Sequence, residues 1–159
     1  MLSTPSVQIL AEKKLIGKSA QMSLLQNTTP LLWKNFMQER KSIQNTIGNH
    51  LYSLQVYDKM YFTDFNPQTK FTKYALTEVS DFESVPKNME CFTLKSGLYV
   101  VFRYKGLPQN FAEAFQFIFH EWLPNSEYEL DHRPHFEVLG EKYNPTSEES
   151  EEEIWIPIK

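Results

Sequence analysis

Gly97-Leu98-Tyr99-Val100-Val101-Phe102-Arg103-Tyr104-Lys105-Gly106, with the segment from Asn110 to Pro124 behind it, decides how the second half of this chain folds. Residues 98–104 are β-branched and aromatic and are bounded by glycines, which reads as a strand. Asn110 opens a helix, with Glu113 three positions on completing a capping-box pattern. Phe111, Phe115, Ile118 and Trp122 mark its buried stripe and Pro124 stops it. Two more strands follow, around Phe136–Leu139 and Ile154–Ile158, separated by the acidic stretch Asn144 to Glu152, which reads as an exposed loop. The order is strand, helix, strand, strand.

Toward the N-terminus the same order is found. Val7 to about Ser19 reads as one long or interrupted strand. Thr29 is the expected N-cap of a helix and Pro30 its first residue. Trp33, Phe36, Met37, Arg40, Ile43 and Ile47 recur at helical spacing, and Gly48 is expected just past the helix end. Leu51–Tyr57 and Thr69–Val79 read as strands, with turn chemistry at Asp64–Gln68 between them. The loop Ser80–Asn88 is expected to join two half-modules, residues 1–85 and 89–159, of one domain. After it, Glu90 to Lys105 holds two strands about the turn Lys95-Ser96-Gly97. The fold class this predicts is α+β: an antiparallel sheet with two helices on one face, leaving the other free to form a groove.

A chain of 159 residues suits one compact domain, and 41% apolar residues fill its interior. Twelve Phe, eight Tyr and three Trp serve equally as core or as walls of an apolar pocket. The net charge of −4 argues against nucleic acid as the main partner, because such binding draws on Lys and Arg. With Cys91 alone, no intramolecular disulfide forms, and the residue reads as a small buried hydrophobe. No secretory signal pattern and no membrane-length apolar run are present, so the cytoplasm is the expected compartment.

The chemistry concentrates in Arg133-Pro134-His135-Phe136-Glu137-Val138-Leu139. Strand alternation turns Glu137 away from Phe136 and Val138. If that apolar pair packs under the helices, Glu137 points into the open face, where a carboxylate among rings receives a lipophilic cation by ion pairing and cation–π contact. A solvated strand glutamate satisfies the same spacing. On the last strand Ile154, Ile156 and Ile158 form the core face, which leaves Glu153 and Trp155 together on the opposite one. Trp122 falls on the buried stripe of the second helix; Glu121, about 100° round, reaches a cleft rim or solvent. His132 and His135 lack a third ligand in register, and no metal site is expected. Phosphate-binding glycine loops, nucleophile elbows and dinucleotide fingerprints are absent, so no cofactor is expected.

Together with Trp122-Leu123-Pro124-Asn125-Ser126 and Glu153-Ile154-Trp155-Ile156-Pro157-Ile158-Lys159, these runs resemble the GyrI-like small-molecule-binding domain, the effector-binding portion of many AraC-type and some MerR-type regulators. The first half matches more weakly, through Trp33, Phe36, Tyr52, Tyr57, Phe71 and Tyr74. The resemblance implies tandem strand–helix–strand–strand modules related by a pseudo-twofold axis, with a groove between them for flat, often cationic, aromatic compounds held by a central glutamate. Glu137 takes that role by resemblance. Glu153 and Trp155 follow, as do Tyr99 and Tyr57 as ring walls; Glu121 and Trp122 also match a family motif. No helix-turn-helix sequence accompanies the domain, so direct DNA binding is not expected of this stand-alone form.

Three functions compete at this point. The first is a binder of a small hydrophobic or cationic aromatic molecule. The second is a hydrolase of reactive cyclopropane-type compounds, with Glu137 or Glu121 as general base and Trp155 or a tyrosine positioning the substrate. A protein-binding inhibitor module, touching a basic partner through Glu148–Glu153, is the third.

Overall fold

The computed structural model describes residues 1–159. Eight strands form one sheet: β1 (Ser6–Leu10), β2 (Lys13–Met22), β3 (Thr46–Val56), β4 (Phe71–Val79), β5 (Glu90–Leu94), β6 (Gly97–Lys105), β7 (His135–Leu139) and β8 (Glu151–Pro157). Every pairing is antiparallel, in the order β1-β6-β8-β7-β3-β4-β2-β5. That order is symmetric about the central β3–β7 pair, with β4 matching β8, β2 matching β6 and β5 matching β1.

The outer strands are exchanged across this symmetry. β1 runs into β2 through Ala11-Glu12 alone, yet pairs with β6 at the far end of the sheet. β5 runs into β6 through Lys95-Ser96 alone, yet pairs with β2. In a flat sheet the strands joined by each link would stand about 29 Å apart, six spacings of about 4.8 Å. A two-residue link spans at most about 11 Å. The sheet therefore has to curl so that its ends approach each other, and it forms a half-barrel. Ten buried residues fill the inside of the curl, among them Leu10, Leu15, Leu76 and Leu94 from the ends and Leu54, Tyr99 and Phe136 from the middle. Arg133 closes one end, donating to the carbonyls of Leu98 and Ile158 while its guanidinium lies 4.7 Å from the Tyr99 ring centre.

Both helices lie on the outer face. α1 (Thr29–Glu39) buries Leu32 and Phe36 against Ile16, Phe71, Ala75 and Val79 of β2 and β4. α2 (Phe111–Phe117) continues through a π-helical turn, Ile118–Trp122, into α3 (Leu123–Asn125). This second helical segment buries Ala114 and Ile118 against Val100, Phe102, Ile154 and Ile156 of β6 and β8. None of the helices is long and apolar enough to cross a membrane.

Several local expectations need correcting. Of the two readings of the stretch from Val7, the interrupted one holds, with the break at Ala11-Glu12; its two pieces lie toward opposite ends of the sheet. The first helix stops at Glu39, well before Gly48; a 3-10 turn over Arg40–Ser42 still delivers Ile43 to the α1 core. Ile47 is exposed, and Gly48 sits in β3 with a φ of 67°, where the pairing with β4 shifts register. Thr28, not Thr29, flanks the helix, and Thr29 donates its amide to Asn27 Oδ1. Asn110 makes no capping bond, because a 3-10 turn over Pro108–Asn110 leads straight into α2. Pro124 lies within the last helical turn, one residue before its end. Cys91 is exposed on the edge strand β5.

Gly17 is the strand glycine whose Cβ would strike backbone, since it would lie 1.8 Å from the Ala75 carbonyl oxygen. Gly17→Ala should force β2 from β4 and lower stability by about 2–3 kcal/mol in urea unfolding; an unchanged midpoint would show that the strands have room to part.

Candidate functional site

The outer face of the central strands, in the strip between the two helical segments, carries the unusual chemistry. Register defines it: Ala75 pairs with Ser53, Ser53 with Glu137 and Glu137 with Ile154, so all four side chains share one face. Ala75 belongs to the α1 core and Ile154 to the α2 core, which puts Ser53 and Glu137 between them. Gln55, Lys73, Thr77, His135 and Glu152 follow on the same face by alternation. Of the seven buried polar residues in the chain, five are here: Ser53, Gln55, Thr77, His135 and Glu137.

Aromatic rings wall the strip. Tyr57, at the end of β3, has its ring centre 4.9 Å from His135, 4.5 Å from Tyr61 and 5.3 Å from Phe71. Phe62, from the loop after β3, meets Phe119 of the π-helical turn at 5.2 Å, nearly parallel. Both also stack on His135, at 5.3 and 6.0 Å. The π-helical turn matters here, because π insertions re-aim side chains and recur at functional sites. This one brings Phe119 over the strip while Ile118 stays in the core.

Under these rings the polar groups are incompletely satisfied. Gln55 Nε2 donates to Glu137 Oε1 at 3.2 Å. Glu137 Oε2, Gln55 Oε1, Thr77 Oγ1 and His135 Nδ1 have no partner. A buried polar atom without a partner costs about 1–3 kcal/mol, so such a cluster calls for an explanation. Glu137 is 6% exposed and makes no ion pair. Burial pushes its carboxyl up to about 7, against weaker opposing effects from Lys73 and the Gln55 hydrogen bond. Glu152 is pushed up to about 8, chiefly by burial and then by the Glu137 charge. Desolvation, with Arg133 and His132 adding to it, holds His135 down to about 3, so its ring is neutral.

The face assignment of the sequence reading is thus corrected. Phe136 and Val138 do not pack under the helices. They enter the inside of the curl, and Glu137 lies on the helix side with the isoleucines of β8. Glu153 and Trp155 are on the opposite face from Glu137, with Trp155 stacked on Phe136 at 5.2 Å and its Nε1 donating to Glu153 Oε1. They border a groove of about 270 Å³ at the mouth of the curl, with Tyr52, His50 and Ile9. Tyr99 is fully buried behind that groove, donating its hydroxyl to the Pro134 carbonyl. Trp122 packs on Phe102 and Tyr128 in the α2 core, and Glu121 is exposed. Of the seven candidates, only Glu137 and Tyr57 come together in the strip. Glu152, His135, Gln55 and Phe119 were missed. Glu152 was legible, since it shares the parity of Ile154 and Ile156 and is an acid on a core face.

A curled eight-stranded antiparallel sheet carrying two helices on one face is the GyrI-like fold. Within it, the chain belongs to the Cass2 family of integron-associated effector-binding proteins, whose profile matches residues 7–158. Among solved structures, SAV2435 bound to tetraphenylphosphonium superposes with a TM-score of 0.75 at 20% identity, covering 99% of this chain and 94% of that one. An integron cassette protein from the mobile metagenome of Vibrio cholerae gives 0.70 at 14% identity, covering 99% and 97%. A protein from Listeria innocua described as a hydrolase gives 0.61 at 10%, covering 98% and 91%. At these identities the likeness is one of fold. No curated protein matches the chain.

The raised Glu137 carboxyl has a consequence for stability. Below about pH 4.5 the folded and unfolded chains are both protonated there. Between about 4.5 and 7 only the unfolded chain releases the proton, so stability falls as pH rises through that window and then levels. Glu137→Gln removes the effect. It should match the wild type in urea unfolding at pH 4.5 and exceed it by about 2–3 kcal/mol at pH 8. Equal stabilities at both values would mean that the carboxyl is solvated.

Proposed function

We propose that this chain binds a small lipophilic cation, or an uncharged aromatic of similar shape, in the strip between its helices, with Glu137 as the anchor. One observation carries the reading: a carboxyl buried to 6% exposure, free of any ion pair, with one oxygen unpartnered among aromatic rings. A cation supplies what that oxygen lacks, and the faces of Tyr57, Phe62 and Phe119 add cation–π attraction in a water-poor setting. The tetraphenylphosphonium carried by a protein of the same fold supports the ligand class. Entry requires Phe62 and Phe119 to part, which the exposed loop bearing Phe62 allows. Membership of an effector-binding family supports a non-catalytic role.

A hydrolytic reading draws on the same carboxyl. An acid held near neutrality is poised to serve as a general base, and a similar fold occurs in a protein described as a hydrolase. Under that reading Glu137→Gln abolishes turnover of an electrophilic substrate while retaining binding of an uncharged analogue.

Titration calorimetry with tetraphenylphosphonium tests the binding reading. Glu137→Gln should weaken binding at least tenfold, about 1.4 kcal/mol. Trp155→Ala, on the other face, should leave it within about twofold, well under 1 kcal/mol by the same conversion. The reverse pattern would move the site to the mouth of the curl.

A further inference from the structure

Glu137 does not stand alone in its strip. It faces Ile154 across the β7–β8 ladder, and Glu152 lies two residues along β8 on the same face. Such diagonal neighbours stand about 7–8 Å apart between Cα atoms, within mutual reach of two glutamate side chains. Glu137 is buried and Glu152 partly so, and no Lys, Arg or His lies within ion-pair distance of either.

The groups that face the pair come from every neighbouring element. Lys73 reaches it from β4 as the one opposing cation. Gln55 and Tyr57 face it from β3, Tyr104 from β6 and Tyr143 from the β7–β8 connection. Along β7 itself, His135 is neutral. Burial and the mutual charge hold the tyrosines of this set protonated. Two carboxyls thus share one dry face with a single ammonium at a distance. Ionising both leaves an uncompensated buried charge, which proteins avoid by retaining a proton.

We propose, resting on the cation-binding reading above, that a lipophilic cation enters this site in exchange for a proton carried by the Glu137–Glu152 pair, whereas an uncharged ligand of similar shape enters with no proton exchanged. The exchange balances: the cation moves from water to the strip, one carboxyl O–H bond breaks, and the proton leaves to solvent. The net charge of the buried strip is the same before and after. Such a site accepts both ligand classes without rebuilding its walls, since only the protonation of the pair differs between them. The raised carboxyls, about 7 for Glu137 and about 8 for Glu152, put the exchange in the neutral range.

Calorimetry of tetraphenylphosphonium chloride at pH 6.5, run in phosphate and again in imidazole, separates the two buffers' ionisation heats and counts protons. The expected result is release of about one proton per cation, with the Kd tightening about tenfold per pH unit from 5.5 to 7 and levelling above 8, as a single linked proton requires. Triphenylphosphine oxide, uncharged, should bind with a heat independent of buffer. Glu152→Gln takes one carboxyl from the pair, so the Kd should level near pH 7, where Glu137 titrates, instead of above 8. A buffer-independent heat and a constant Kd from pH 5.5 to 8, with the cation bound, overturn the proposal but leave the binding site intact. Proton release on binding the uncharged oxide also overturns it. No binding of the phosphonium at any pH overturns the binding reading itself.

Discussion

Two links of two residues each, Ala11-Glu12 and Lys95-Ser96, tie strands that lie six places apart in the sheet. No flat or gently twisted sheet satisfies them, so the sheet curls into a half-barrel and its helix-free face becomes interior. The apolar residues of β7 and β3 then have a core to enter that no helix supplies: Phe136, Val138, Tyr52 and Leu54 all pack inside the curl. As a result the outer face of the same two strands is released from core duty. It can carry polar side chains, and it does.

The helices complete the arrangement by what they leave uncovered. α1 packs on β2 and β4, and the α2 segment on β6 and β8. Between them, β3 and β7 present Ser53, Gln55, His135 and Glu137 beneath rings from the loop after β3 and from the π-helical turn. A carboxyl placed there is desolvated by the geometry of the fold. The unpartnered oxygens and nitrogen in this strip are the local departure from full polar satisfaction that ligand sites typically show.

Much of this was readable in advance, and the part that was not has a physical reason. The strand–helix–strand–strand order and the two helices on one face follow from periodicity and from family resemblance, which also single out Glu137 as the proposed anchor. The phase of β7 did not, because both of its faces are interior: alternation says that Phe136 and Glu137 diverge, but not which goes outward. A two-residue link is legible as a tight turn, and reads as a hairpin joining neighbours. Its actual partners lie across the barrel, a non-local choice that no local window contains. Trp155 was taken as a companion of Glu137 through that phase error. Glu152 lay unread beside it, although the three isoleucines of β8 already marked its side as the buried one.

The site rests on a Glu137 carboxyl desolvated beneath its rings. Carbon-13 NMR of the glutamate carboxyls, with the Glu137 resonance assigned by its loss in Glu137→Gln, reads this directly. A desolvated carboxyl gives a titration midpoint near pH 7. A midpoint near 4.5, that of a carboxyl in water, would contradict it.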